Sequence, residues 1–264
     1  MTPYDRPRRG TGRRRIEALT TDAWYTLIYV TPAEHRSLAS RRQRIWSRPF
    51  LDRGLGKPTV LRLLARREEW TLRLEAAGRT PAVPEQIRTL ARWAGVSIDV
   101  EELAGQLDRA LLRTTVRLAP GGREALRALA DEGVPLALIS NVLHESGDAA
   151  RTVLDRLGVL PRFRAVVLSC EQPWAKPAPE PFLLACSFLG VRPARAVHVG
   201  DLDYDLRGAT AAGMDSWWYV GLGKWNRYLR GQVDPSSIGP GRIVRSWRAV
   251  ERRFPPTDGP AARR

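Results

Sequence analysis

Six residues of this chain have types that can act together on an electrophilic centre: Asp22, Ser140, Asn141, Lys176, Asp201 and Asp205. A carboxylate attacks as a nucleophile when its charge is held against a cation and its target is electrophilic, as phosphorus is. Asp22 and Asp201 come from separate segments and supply the hard oxygen ligands that magnesium takes, with waters and substrate oxygens completing an octahedron. The Ser140 hydroxyl and the amide at position 141 can hydrogen-bond non-bridging phosphoryl oxygens, and the Lys176 ammonium offsets charge on the transferring group. All but three of the 43 basic residues are arginine. A lysine at 176 therefore points to a need for a compact cation.

Four short strand-like runs place these residues. Ile16–Thr21 leads into Asp22, Val134–Ser140 into Asn141, Ala165–Ser169 into the loop with Lys176, and Ala196–Val199 into Gly200-Asp201. Ser216–Val220 is a further run of the same kind. Between them lie helical stretches at 121–132, 147–157, 179–189 and 205–212, each stopped by a glycine as helices commonly are. Such alternation predicts βαβ units and a parallel sheet covered on both faces. In these sheets ligands bind beyond the carboxyl ends of the strands, where all six residues fall. From about 30 to 118 apolar residues instead recur at three and four, which predicts three or four helices inserted after the first strand. The expected organisation is a basic, disordered arm (1–15), a doubly wound α/β core (16–29 and 119–245), an all-helical insertion (30–118) and a C-terminal tail (246–264).

Asp22-x-x-x-Thr26-Leu27, strand-terminal Ser140-Asn141, Lys176-Pro177 with Phe182, and Gly200-Asp201-x-x-x-Asp205 with Gly208-Ala209 together resemble the four motifs of the haloacid dehalogenase superfamily. They stand in order, across residues 16–220, and the helical insertion looks like that superfamily's type 1 cap. The resemblance implies a Rossmann-like core and a magnesium-dependent phosphatase working through a phospho-aspartate on Asp22. It implies magnesium bound by Asp22, the Trp24 carbonyl and Asp201, with Asp205 supporting the metal and the lysine. Ser140, Asn141 and Lys176 would hold the phosphate of a small phosphorylated metabolite. Phosphatases of this kind carry a second Asp two residues after the nucleophile as general acid. Here that residue is Trp24, which transfers no proton at neutral pH, so acyl and aryl phosphates are the expected substrates. Tyr25 replaces the usual glycine before Thr26, and its ring has to point away from the phosphate. An aromatic at position 24 also occurs in L-2-haloacid dehalogenases, an alternative reading. A catalytically weak protein that binds a phosphorylated ligand or a partner is another.

Composition narrows the remaining classes. With 43% apolar residues in 264, the chain can build a core, and no run of about 18 apolar residues predicts a membrane span. The net charge of +15 invites nucleic acid, but it comes from an arginine bias that also fills the tails, so a solvated basic surface is expected instead. Two cysteines, Cys170 and Cys186, form no disulfide framework and fit a reducing cytoplasm; a monomer or homodimer is expected. Asp203 reads as exposed, His198 as packed inside a strand, and His144 as near enough to Asn141 to reach the crevice. The tryptophans at 217, 218 and 225 read as core or cap contacts, and the arginines of 36–48 as a solvated helix face.

Overall fold

A computed structural model describes residues 16–223 and 240–254; the basic arm and Trp225 lie outside the described residues. Six strands form one parallel sheet in the order β5-β4-β1-β6-β7-β8. They are β1 (Ala18–Thr21), β4 (Leu136–Ser140), β5 (Ala165–Leu168), β6 (Ala196–Gly200), β7 (Asp215–Tyr219) and β8 (Ile243–Val244). β1, β4 and β6 are buried at every position, which is why none of them shows the apolar–polar alternation of a half-exposed strand. Leu136 and Leu138 pack with helices α5 (Gly122–Asp131), α6 (Gly147–Arg156) and α9 (Trp247–Glu251) on one face. Ala137 and Ile139 pack with α7 (Glu180–Leu189) on the other, with α8 (Asp203–Ala211) beside it. This is the doubly wound α/β core. Gly190 ends α7 with φ of 70°, the left-handed cap that glycine adopts without Cβ strain.

Register brings the functional segments to one edge. Thr21 pairs with Leu138 of β4 and with Val199 of β6, while Ser140 pairs with Leu168. Asp22, Asn141 and Asp201 therefore leave the sheet side by side.

The insertion holds four helices: α1 (Pro32–Leu51), α2 (Lys57–Ala76), α3 (Val83–Ala94) and α4 (Val100–Leu112). Thr31 and Glu34 form a capping box at the start of α1, satisfying donors that the first turn leaves open. The four helices share their own apolar cluster, which includes Trp46, Phe50, Ile87, Leu90 and Leu107. No described helix is long and apolar enough to cross a membrane.

Two expectations are corrected. The helical stretch to 118 ends in a strand, β3 (Arg117–Leu118), which pairs antiparallel with β2 (Ile28–Tyr29) at the root of the insertion. Two-residue strands carry no periodicity to read. The stretch from 246 is not simply a tail: Trp247 and Val250 on α9 are fully buried against the sheet, and the Trp247 indole N–H donates to the Thr26 carbonyl at 3.0 Å.

Candidate active site

Lys176 is the hub of the strand-end cluster. It is 4% exposed, and its ammonium donates to Asp22 Oδ1 at 2.5 Å, Asp205 Oδ1 at 2.6 Å and the Ile139 carbonyl at 3.1 Å. Three donors meet three acceptors, a tripod that a planar guanidinium cannot reproduce. Asn141 sets the lysine's backbone in place. Its Oδ1 accepts from the Lys176 amide and its Nδ2 donates to the Lys176 carbonyl, both at 2.9 Å, and Nδ2 also donates to Glu75 Oε1 at the end of α2. The Asn141 side chain is thus occupied in positioning Lys176.

Asp205 accepts from Lys176 and lies 3.1 Å from His198 Nε2 through one oxygen, while its other oxygen accepts from the Leu202 amide at 3.0 Å. His198, fully buried in β6, is held from behind by the Thr20 hydroxyl at 2.8 Å. Burial pushes the His198 imidazole below its ordinary value, against the pull of Asp205. A Cβ on Gly200 would sit 2.2 Å from Asp205 Cγ, so only glycine fits before Asp201. Asp201 is 3% exposed; its Oδ1 accepts from Thr26 at 3.1 Å and its Oδ2 is buried with no partner.

The carboxylates differ in what they face. Burial and the nearby Asp205 lift Asp22 to about 7, against the pull of Lys176. Burial, then Asp22 and Asp205, holds Asp201 well above the usual carboxylate range. Burial also opposes ionisation of Asp205, but Lys176 and His198 outweigh it and hold its carboxyl low. Oxygens of all three lie within 4.8 Å of one another. Three buried carboxylates face one ammonium, so full ionisation leaves two negative charges uncompensated, and one oxygen has no donor. Protons or a divalent cation must supply the balance, and this oxygen donor set fits magnesium.

The haloacid dehalogenase-like hydrolase family matches residues 16–213. The chain belongs to this family. A 125-residue stretch is 34% identical to the N-acetylmuramic acid 6-phosphate phosphatase of Pseudomonas aeruginosa, covering 45% of this chain and 54% of that protein. The chain spans about half or less of the length of the first curated relatives it matches. Its fold is similar to that of a HAD phosphatase from Thermococcus onnurineus, with TM-score 0.61 and 19% identity over 91% of this chain and 99% of that one. It is similar also to a 2-haloacid dehalogenase from Pseudomonas syringae pv. Tomato DC3000, with TM-score 0.62 and 24% identity over 90% and 99%.

The remaining candidate residues occupy distinct places. Ser140 is buried at the end of β4, its hydroxyl 3.4 Å from the Asn141 carbonyl. The Trp24 indole donates to Glu145, a buried carboxylate that also takes a 2.6 Å ion pair from Arg42 of α1. Tyr25 has φ of 57°, the left-handed region where glycine is usual. Its hydroxyl lies 3.0 Å from His35 Nδ1, so the ring reaches the start of α1. Asp203 pairs with Arg207 at 2.5 Å on the surface of α8, apart from the cluster. Glu75, Glu145, Arg42 and Ser169, whose hydroxyl accepts from the Val142 amide at 2.8 Å, have no sequence signal beyond their charge or hydroxyl. Long-range packing alone brings them to the strand ends.

Proposed function

We propose that this hydrolase is a magnesium-dependent phosphatase of small phosphorylated metabolites, with Asp22 as nucleophile. The observation that supports it most is the tripod: Lys176 holds Asp22 and Asp205 together within reach of Asp201. Asp22, Asp201 and the Trp24 carbonyl would hold the ion, and Asp205 would support it from Lys176. Magnesium, when bound, supplies positive charge against the carboxylates and the phosphoryl oxygens.

Asp22 attacks phosphorus, its carboxylate forming an O–P bond while the ester oxygen leaves with the bonding electrons. Lys176 favours the ionised form of Asp22 against the cost of burial and offsets charge on the phosphoryl group. Asp205 and His198 keep the ammonium fixed, so little reorganisation is needed as charge moves. Water then attacks the phospho-aspartate, freeing phosphate and restoring Asp22. No side chain at position 24 protonates the leaving oxygen, so acyl and aryl phosphates are favoured. The helical insertion acts as a cap: Ala175 donates to the Gly78 carbonyl at 2.7 Å and Gln86 to the Leu143 carbonyl at 2.7 Å, which seats it over the reacting centre and excludes water. The two described cysteines are free, which fits a reducing cytoplasm.

The test is a panel of phosphate esters and acetyl phosphate, assayed with magnesium and with chelator, on wild type and Asp22→Asn. Magnesium-dependent release of phosphate by wild type alone supports the reading; no release from any ester overturns it. A second reading rests on Trp24, whose aromatic side chain stands where a phosphatase has its acid. Attack of Asp22 on carbon would then release halide from 2-chloropropionate in the presence of chelator, with no turnover of phosphates.

A further inference from the structure

Two tryptophans from the C-terminal part of the chain reach the strand-end loops, and neither takes part in the proposed reaction. Trp218 pairs across β7 with Gly200 of β6, and its indole N–H donates to the Asp201 carbonyl at 2.9 Å. Trp247, on α9, is fully buried and donates to the Thr26 carbonyl at 3.0 Å. Both stand past residue 213, where the match to the family ends.

The two bonds converge on one carboxylate. Thr26 is itself fully buried, and its hydroxyl donates to Asp201 Oδ1 at 3.1 Å. Asp201 is therefore held at its backbone by Trp218 and at its side chain by Thr26, whose own backbone is held by Trp247. With Oδ1 occupied in this way, Oδ2 is the oxygen that stays buried without a partner. A carbonyl in a buried loop costs folding free energy unless a donor reaches it. An indole N–H can only donate, so each tryptophan satisfies its carbonyl and fixes the direction in which that carbonyl points. The neighbouring Trp217 is differently engaged: it packs on Phe254, with ring centroids 5.9 Å apart, and lies under the Arg253 guanidinium.

We propose that Trp218 and Trp247 are positioning residues of the cation site. They hold Asp201 by its backbone and, through Thr26, by its side chain, so that Oδ2 is kept free for magnesium. The segment from β7 to α9 is then part of how the active site is built, and more than a cover for one face of the sheet. The proposal rests on the magnesium reading of the strand ends, but cation binding can be measured without substrate or turnover.

Manganese takes the same oxygen ligands as magnesium, and the paramagnetic resonance signal of its unbound ion reports how much is bound. Its Kd is measured, with magnesium as competitor, on wild type, Trp218→Phe, Trp247→Phe, Thr26→Val, Trp217→Phe and Asp201→Ala. Asp201→Ala should lose the site. Trp218→Phe and Trp247→Phe should each weaken binding by about 10-fold, the lower end for partners of metal ligands, while Trp217→Phe stays within about twofold of wild type. Because Trp247 acts through Thr26, adding Trp247→Phe to Thr26→Val should weaken binding by less than about a further twofold. Thermal melts in chelator check that each variant is folded. Should the fully buried Trp247 not tolerate replacement, Trp218→Phe, at a half-buried position, and Thr26→Val carry the test. Tryptophan variants that bind manganese as tightly as wild type overturn the proposal and leave the magnesium reading standing. Equal weakening by Trp217→Phe also overturns it, as does a full effect of Trp247→Phe on Thr26→Val. A wild type that binds no manganese overturns the magnesium reading and the proposal together.

Discussion

The strand-end cluster and the cleft between α1 and α2 of the helical insertion pair their charged groups to different degrees. At the strand ends the ammonium of Lys176 meets three acceptors and both oxygens of Asp205 meet donors. The excess there is negative. In the cleft, Arg42 and Arg67 stand with the carboxylates of Glu68 and Glu75, while buried nitrogens of Arg42, Arg67 and His144 have no partner. The cluster is mounted on four adjacent parallel strands whose register is set by burial on both faces, so its geometry is held before any ligand arrives. The cleft is mounted on the insertion, where Leu38, Ala110 and Leu111 pack into the core cluster and the other buried side chains form a cluster of their own. On the proposed reading, chemistry is built on the strand ends and choice of substrate on the insertion, as when one core serves many substrates.

The contrast is broken most severely by removing the nucleophile. Asp22→Asn should lower turnover of every phosphate by about four orders of magnitude or more, neutral and anionic esters alike, as phosphate-release kinetics would show. A loss confined to one class of ester would mean that the strand ends take part in choosing substrates.

Next in size is the effect of leaving group. General acid help is typically worth about 10²–10⁴-fold, so acetyl phosphate and p-nitrophenyl phosphate should outrun sugar phosphates by a comparable factor. Trp24→Asp should flatten that dependence. If wild type hydrolyses alkyl and aryl phosphates equally fast, another group is donating the proton.

A third test reads the negative excess directly. Asp22 is raised from an unfolded value of 3.8 to about 7 and Asp201 is raised as well, so the folded state holds protons that the unfolded chain has already released. The Asp22 contribution to stability is complete below pH ~4 and is lost as pH rises through about 7, and Asp201 acts in the same direction. Asp205 has the opposite sign, since its carboxyl is held low, and its contribution disappears only in acid. In chelator, Tm should therefore fall between pH 5 and 8, with each kcal/mol lost worth about 2–4 °C for a chain of this size. Magnesium should reverse the fall, and Asp201→Asn should flatten it while lowering activity. Differential scanning fluorimetry at several pH values checks this; a Tm that rises with pH in chelator would refute it.

The smallest effect concerns the loop between the two regions. Tyr25→Gly and Tyr25→Ala both lose the ring that reaches His35, but only glycine relieves the left-handed backbone. The glycine variant should be the more stable by about 1 kcal/mol, measured by urea unfolding. Equal stabilities would show that the backbone there is unstrained.

What was legible in the sequence follows from the range of the interactions. β4 shows as a continuous apolar run because it is buried on both faces, and Gly200 before Asp201 shows because the contact with Asp205 permits no Cβ. Partners brought in from afar left no such mark. Glu75 reaches Asn141 across 66 positions, and Arg42 reaches Glu145 across 103. The motif placed Asp201 near a metal, yet its 3% exposure comes from Thr26, Trp218 and the carboxylates around it, which no spacing encodes. His198 was legible as a core residue because it sits in an apolar strand; its contact with Asp205 is visible only once β6 and α8 are packed together.

The central claim is that Asp22 carries the phosphoryl group between two half-reactions. Acid-quenching the enzyme during turnover of radiolabelled acetyl phosphate with magnesium, then mapping the label, tests it most directly. Wild type should trap phosphate on the peptide containing Asp22, in a linkage stable to brief acid and released by hydroxylamine, while Asp22→Asn traps none. Steady turnover with no label on that peptide, or label that persists in Asp22→Asn, would contradict it.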